Sequence, residues 1–155
     1  AFGAGFNLCA CCDIRIAADD IKLRMTPARL GVAYHPKGIQ QFIEAFGIAR
    51  TKEIFYTATI FQGKALLQKG LVDYMLPRAD LEEFTHAYAK KITQNAPLSL
   101  KGIKKIISYF ENDMALNQKK LNKADQLMQK CFQSDDLKEG QAAFLEKRVP
   151  CFKGR

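Results

Sequence analysis

Residues 3–18 read Gly-Ala-Gly-Phe-Asn-Leu-Cys-Ala-Cys-Cys-Asp-Ile-Arg-Ile-Ala-Ala. The glycines at the start of this stretch favour a tight turn, because glycine adopts backbone conformations that other residues avoid. The apolar residues that follow predict a short buried helix over residues 4–12. The partial alternation of β-branched residues over 13–18 predicts a strand. The order of these elements is therefore a turn, a buried helix and a strand.

The remaining elements are predicted from apolar periodicity and from turn residues. We expect strands over 21–25 and 72–76, and helices over 38–46, 48–58, 62–69, 81–92, 100–107, 114–132 and 135–147. Gly47 is the expected C-cap between two of these helices, and Asp135 with Asp136 is the expected cap of the last one. The part of the chain after residue 80 is thus predicted to be mostly helical.

A loop rich in glycine and proline, Pro27–Gly38, carries Tyr34 beside His35, one of two histidines in the chain. Rigid turn residues around two potential proton carriers are typical of an active-site loop, although a polar surface loop has the same composition. The position of this loop after the turn, helix and strand favours the active-site interpretation.

Six short motifs occur in a fixed order along the chain. They are the Gly3-Ala4-Gly5 turn with its helix, the strand 13–18, Thr26–Gly31, Gly70–Val72, Asn95–Leu98 and Glu139–Arg148. In this order and spacing they resemble the enoyl-CoA hydratase/isomerase (crotonase) superfamily over essentially all 155 residues. Thr26–Gly38 and the C-terminal residues are most similar to methylmalonyl-CoA decarboxylase-like members.

The resemblance implies an α/β fold of the crotonase type, a ββα superhelix of which this chain is the helix-rich C-terminal portion. Residues 1–78 would contribute the oxyanion turn, the active-site loop and the last strands of the core. Residues 79–155 would form a helical trimerisation region. The resemblance also implies a strand-rich part before Ala1, and a homotrimer or a hexamer built as a dimer of trimers.

The chemistry implied by the resemblance is stabilisation of a thioester oxygen as it becomes an enolate. Two backbone N–H groups aimed at that oxygen provide the stabilisation. The family motif places one of them at Ala4, with Gly3 and Gly5 as neighbouring substrate-binding positions. The second would belong to the part before Ala1.

Hydration of an enoyl thioester needs two carboxylates to move its protons. The two positions at which the family's hydratases carry glutamate correspond here to Asn7 and to Pro27 or Ala28. These side chains cannot transfer a proton, which argues against an efficient hydratase. Asn7 and Pro27 are therefore expected to line the substrate pocket without acting as acid or base.

Further site residues follow from matches to individual family members. Tyr34 matches the tyrosine of decarboxylase-like members, whose hydroxyl helps to orient a substrate carboxylate. His35 lies four residues after the loop glycine Gly31, where some isomerases carry their base, so it is expected to be either that base or a solvent-facing side chain. Phe144 and Lys147 match the aromatic and basic contacts to the adenine end of coenzyme A, which are often made across a subunit boundary.

These implications predict an enzyme that acts on an acyl-CoA thioester, most simply a decarboxylase of malonyl- or methylmalonyl-CoA type. The alternatives are an enoyl-CoA isomerase or hydratase of fatty-acid metabolism, and a catalytically weak acyl-CoA-binding subunit. Coenzyme A would enter as part of the substrate, and neither a separate cofactor nor a metal is expected.

The composition limits the choice of partners and compartment. The chain has 24 Lys+Arg against 16 Asp+Glu, a net charge of +8. A basic surface can bind nucleic acid, but these lysines are spaced as on solvated helix faces and no nucleic-acid-binding motif accompanies them. No apolar run approaches the ~20 residues that span a bilayer. We therefore expect no nucleic-acid or membrane partner and a cytoplasmic protein.

Two cysteines, Cys9 and Cys12, form a C-x-x-C pattern that can indicate redox chemistry or half of a metal site. Their neighbours are apolar, and free cysteine in such surroundings behaves as a small core residue. The sequence therefore predicts buried, reduced thiols.

Overall fold

The computed structural model describes residues 1–110 and 118–155, which divide into two compact units, Ala1–Thr85 and His86–Arg155. The helices are α1 (Ala4–Ala10), α2 (Pro36–Thr57), α3 (Lys64–Gln68), α4 (Leu81–Thr93), α5 (Pro97–Ile107), α6 (Gln118–Phe132) and α7 (Asp135–Glu146). The strands are β1 (Ile16–Ala18), β2 (Lys22–Leu23), β3 (Phe61–Gln62) and β4 (Tyr74–Leu76). The predicted start of α6 at residue 114 lies outside the described residues.

The strands of the first unit form two short pairs. β1 and β4 are parallel, with Ile16 opposite Tyr74, whereas β2 and β3 are antiparallel, with Leu23 opposite Phe61. β1, β2 and β4 are shorter than predicted, because a ladder extends only as far as its partner runs alongside, and β3 was not predicted. Directly after β2, Arg24 pairs with Phe2, which lies just before α1.

The core of the first unit is an aromatic cluster that joins α1 to α2. Phe6 of α1 and Phe42 of α2 have no exposed surface, and their rings meet edge to face with centroids 5.0 Å apart. Phe42 also contacts the ring of Phe55, at 5.1 Å and with the same geometry. Aromatic pairs of this kind add to the burial of apolar area. The cluster fixes the position of α1 against α2, and the candidate site lies between these two helices.

Helix α2 bends at Gly47. This residue has φ 74° and ψ 164°, outside the helical region and accessible to glycine with little strain. The predicted break at Gly47 is confirmed, although α2 begins two residues earlier than expected, at Pro36. A proline is favourable there because the first helical N–H group has no partner in the helix.

Helix α7, in the second unit, begins with a side-chain cap. The cap of α7 is Ser134, whose Oγ accepts the N–H of Leu137 at 3.2 Å, so the prediction of Asp135 and Asp136 as the cap is wrong. Both aspartates follow the cap residue and lie in the first turn of α7. Their carboxylates are favourable there because the N-terminus of a helix carries partial positive charge.

We call Asp136, Glu139 and Arg148 the carboxylate clamp. The buried Asp136 carboxylate accepts the N–H groups of Lys153 at 2.6 Å and Gly154 at 2.8 Å. Glu139 binds the Arg148 guanidinium through both oxygens, at 2.6 and 3.0 Å. The clamp therefore holds the last residues of the chain against α7 through charge-assisted hydrogen bonds.

The clamp predicts a loss of stability in acid. Hydrogen bonds from Arg148, and from the N–H of Cys151, lower the pKa of the Glu139 carboxyl to about 2. The unfolded value is about 4.3, so the folded state binds this proton less well than the unfolded state. The stabilisation by Glu139 is complete above the unfolded pKa and is lost as pH falls through the folded pKa.

The measurement compares denaturant unfolding of the wild type and of Glu139→Gln between pH 7 and 2. The difference in unfolding free energy between the two proteins should be constant above about pH 5 and should shrink as the pH approaches 2. A difference that stays constant down to pH 2 would show that the Glu139 carboxylate does not stabilise the fold.

Candidate active site at the start of helix α1

The turn before α1 leaves the backbone N–H group of Ala4 available. Gly3 has φ 53° and donates its N–H to the carbonyl of Arg24 at 2.9 Å, and the N–H of Gly5 bonds to the carbonyl of Phe2 at 3.1 Å. The N–H of Ala4, between them, meets no hydrogen-bond acceptor among the residues that the structure describes. Ala4 is the first residue of α1 and is exposed. The turn thus presents the N–H of Ala4 as a donor flanked by two glycines whose N–H groups are already bonded.

A chain of three polar side chains lies one helical turn further on. The hydroxyl of Tyr34 donates to Oδ1 of Asn7 at 2.8 Å, and Nδ2 of Asn7 donates to Oε1 of Gln41 at 2.9 Å. We call Tyr34, Asn7 and Gln41 the amide relay. Both bonds are partly buried, and the two members beyond the tyrosine are neutral amides. The structure therefore brings the predicted residue Tyr34, in the loop before α2, into direct contact with Asn7 on the helix that begins at Ala4.

The close packing of the relay depends on Gly38 of α2. A Cβ atom on Gly38 would lie 2.4 Å from Cε1 of Tyr34 and 2.9 Å from Oδ1 of Asn7. Real Cβ atoms do not make contacts this short, so a larger residue at this position would force Tyr34 and Asn7 to move. On its other side the Tyr34 ring packs against Phe55, with centroids 5.5 Å apart. The tyrosine is thus held by the backbone of α2 and by one aromatic ring.

The predicted loop residues Pro27 and Gly31 build a single turn. Pro27–Leu30 is a 3-10 turn, and Gly31 closes it with φ 69°. Pro27 is buried, and its carbonyl accepts the N–H of Val32 at 3.2 Å. These residues shape the loop that carries Tyr34 and contribute no titratable group.

His35, the other predicted proton carrier, caps α2. Its Nδ1 accepts the N–H of Lys37 at 3.2 Å, and its side chain is exposed. One ring nitrogen therefore satisfies a helix N–H group that would otherwise have no partner in the helix. The proposed role of His35 as a base stays a prediction.

Phe144 lies in α7, and Lys147 is the residue that follows its last turn, both in the second unit. The Phe144 side chain is 83% exposed and borders an open apolar pocket of about 460 Å³, which Phe132 and Phe152 also line. Lys147 ends α7 in a left-handed conformation, with φ 53°. The two residues are close in the chain, on one helix end, and their contact with coenzyme A stays a prediction.

The cysteines of α1 are less buried than expected. Cys9 is half-buried, and burial, followed by the charge of Cys12, raises the pKa of its thiol. Cys11 and Cys12 are free and exposed, so the prediction of buried thiols is wrong for Cys12. The physical reason is that α1 ends at Ala10, two residues earlier than predicted, and the following residues turn away from the core.

In residues 1–110 and 118–155, no three His, Cys, Asp or Glu side chains are grouped so that they could hold a metal ion. None of the helices in these ranges is long and apolar enough to cross a membrane.

Comparison with known proteins assigns the chain to a family. Residues 1–155 match the enoyl-CoA hydratase/isomerase family, and the chain belongs to that family. It is 31% identical to methylmalonyl-CoA decarboxylase from Escherichia coli over 153 residues, which cover 99% of this chain and 59% of that protein. It is 35% identical to a probable enoyl-CoA hydratase from Bacillus subtilis, over 99% of this chain and 59% of that protein.

The solved structures agree with this assignment. The crystal structure of an enoyl-CoA hydratase from Bacillus anthracis superposes with a TM-score of 0.88 at 32% identity, covering 100% of this chain and 59% of that one. The predicted α/β fold of the crotonase type is therefore confirmed. The chain spans about three-fifths of the length of these relatives.

Proposed function

We propose that the protein processes acyl-CoA thioesters by stabilising an enolate, with the N–H of Ala4 as one hydrogen-bond donor to the thioester oxygen. The support is the geometry of the turn, in which Ala4 is exposed and its N–H has no described partner, while the N–H groups of Gly3 and Gly5 are bonded. A donor that is already fixed when charge develops on the oxygen stabilises the transition state without reorganisation.

Among the reactions that share an enolate, we propose decarboxylation of a malonyl-type thioester. When the bond to the carboxylate breaks, its electron pair forms the enolate and carbon dioxide leaves, so no base is needed to generate the enolate. The observation that carries this choice is the contact of Tyr34 with Asn7. A neutral amide bonded to a tyrosine stands where a hydratase needs a carboxylate, and the second carboxylate position holds Pro27 or Ala28.

The test compares two reactions of the full-length protein. We expect release of carbon dioxide from malonyl- or methylmalonyl-CoA, and hydration of crotonyl-CoA at less than about 1 s⁻¹, a tenth of the typical enzyme turnover. Carbon dioxide is detected directly, and hydration is followed by the loss of enoyl absorbance. Rapid hydration without carbon dioxide release would replace the decarboxylase proposal with a hydratase.

A further inference from the structure

The amide relay contains a residue, Gln41, that does not match any of the motifs noted in the sequence. It lies 34 residues from Asn7 in the chain, yet its Oε1 is 2.9 Å from Nδ2 of Asn7. We infer that Gln41 is a positioning residue whose amide sets the orientation of Asn7, and thereby decides whether Tyr34 can donate its proton to a carboxylate on the acyl group. This inference rests on the proposed function, in which a carboxylated acyl-CoA is the substrate.

The relay has two hydrogen-bonding states with nearly the same atomic positions. In the state described above, Tyr34 donates to Asn7 and Asn7 donates to Gln41. If both side-chain amides flip, Nε2 of Gln41 donates to Oδ1 of Asn7, and Nδ2 of Asn7 donates to the phenol oxygen of Tyr34. The oxygen and nitrogen of an amide are almost equal in size, so this exchange needs no new space. Only in the second state is the hydroxyl proton of Tyr34 available for a hydrogen bond to a ligand.

A ligand carboxylate would favour the second state. An ionised carboxylate only accepts hydrogen bonds, so it can use Tyr34 only when the phenol proton is not held by Asn7. In the second state, the bond from Asn7 to the phenol oxygen also polarises the hydroxyl and makes it a better donor. A simple acyl group has no such acceptor and leaves the relay in the first state. The relay would therefore select for carboxylated acyl groups.

The packing around the relay limits how far its heavy atoms can move, and Nδ2 of Asn7 also lies 3.7 Å from Sγ of Cys11, a weak acceptor. The backbone of Gly38 lies against both Tyr34 and Asn7, and the Phe55 ring covers the tyrosine on another side. The heavy atoms are thus held while the amides and the hydroxyl proton remain able to rotate.

The deciding variant is Gln41→Glu in the full-length protein. A glutamate carboxylate accepts hydrogen bonds but cannot donate them, so it would accept only from Nδ2 of Asn7. Oδ1 of Asn7 would then continue to accept the hydrogen bond from the Tyr34 hydroxyl. We expect the affinity for malonyl-CoA, relative to acetyl-CoA, to fall at least about tenfold, the factor equal to one charge-assisted hydrogen bond. Affinity for acetyl-CoA should change less than twofold.

Two further variants distinguish a loss of selectivity caused by the relay from one caused by altered packing. Gln41→Met keeps the length of the side chain but leaves Asn7 free to turn, so it should retain the selectivity within about threefold. Gln40→Met is the matched control at the neighbouring position, because Gln40 bonds to Glu44 of the same helix. A loss in Gln41→Met as large as in Gln41→Glu would assign the effect to packing and overturn the inference.

A double variant excludes simple repulsion by the new charge. Repulsion between Glu at position 41 and malonyl-CoA would persist in a Tyr34→Phe background, whereas an effect that acts through the phenol proton would vanish. We expect Gln41→Glu to change the selectivity less than twofold in that background, and an undiminished effect would overturn the inference. If Gln41→Glu does not fold, Asn7→Asp, which also fixes the phenol proton, takes its place in the same pair of backgrounds.

Affinities are measured by calorimetry, or as inhibition and Michaelis constants if malonyl-CoA turns over. The absence of carbon dioxide release would overturn the decarboxylase proposal alone. The selectivity for malonyl-CoA over acetyl-CoA would still decide the role of Gln41.

Discussion

Replacement of Ala4 by proline is expected to lower the turnover of acyl-CoA by about 10²–10³-fold, the typical cost of removing one oxyanion donor. Proline has no N–H group, so the variant deletes the proposed contact to the thioester oxygen. Ala4 is the first residue of α1, and proline is favourable at that position of a helix. Its N–H makes no described bond within the protein, so the fold loses no hydrogen bond. The loss should therefore appear in the rate rather than in stability.

The control for this variant is Ala4→Ser, which changes the side chain and keeps the N–H. Steady-state rates of Ala4→Ser should stay within a few-fold of the wild type, and the thermal transitions of both variants should stay close to that of the wild type. Wild-type turnover by Ala4→Pro would remove Ala4 from the oxyanion hole.

Replacement of Phe42 by alanine should destabilise the protein by about 3–5 kcal/mol, the range measured for fully buried aromatic residues. Phe42 has no exposed surface, and its ring contacts the rings of Phe6, Phe46 and Phe55. A cavity at this place would remove the partner against which α1 packs. Because Gln41 precedes Phe42 on the same helix, the selectivity of the relay should weaken as well.

The matched control for Phe42 is Tyr56→Ala, on the same helix but 75% exposed. It should change the unfolding free energy by no more than about 0.5 kcal/mol. Denaturant unfolding of the full-length protein gives both values. Equal losses in the two variants would show that the aromatic cluster is not the main support of α1.

The fold could be predicted because its motifs are local. The Gly3-Ala4-Gly5 turn, the break at Gly47 and the helical second half each follow from residues close together in the chain. The predictions of strand lengths and of the cap of α7 were less accurate. The length of a strand depends on where a distant partner ends, and the cap depends on which of three adjacent polar residues bonds to the helix. The C-terminal residues 148–155 gave no signal for the carboxylate clamp, because its bonds run largely to their backbone.

The candidate site could be predicted only in part. Family motifs identified Ala4, Asn7 and Tyr34, and the structure brings Tyr34 of the loop into contact with Asn7 of α1. Gln41 was missed because a glutamine in an amphipathic helix is ordinary, and its contact with Asn7 depends on how α1 packs against α2. The glycine at position 38, the first residue of the predicted helix, was the available sign of a close approach. The trimer or hexamer and the cytoplasmic location stay predictions.

The proposed oxyanion donor belongs to the peptide backbone, whereas the groups that would choose between reactions are side chains. Among the common amino acids only proline lacks the N–H, so nearly every missense change at Ala4 would keep the proposed donor. Changes at Asn7, Tyr34 or Gln41 alter proton donors and acceptors without touching that element. Evolution can therefore explore new reactions on this scaffold through one or two side-chain replacements, while the shared step is inherited unchanged.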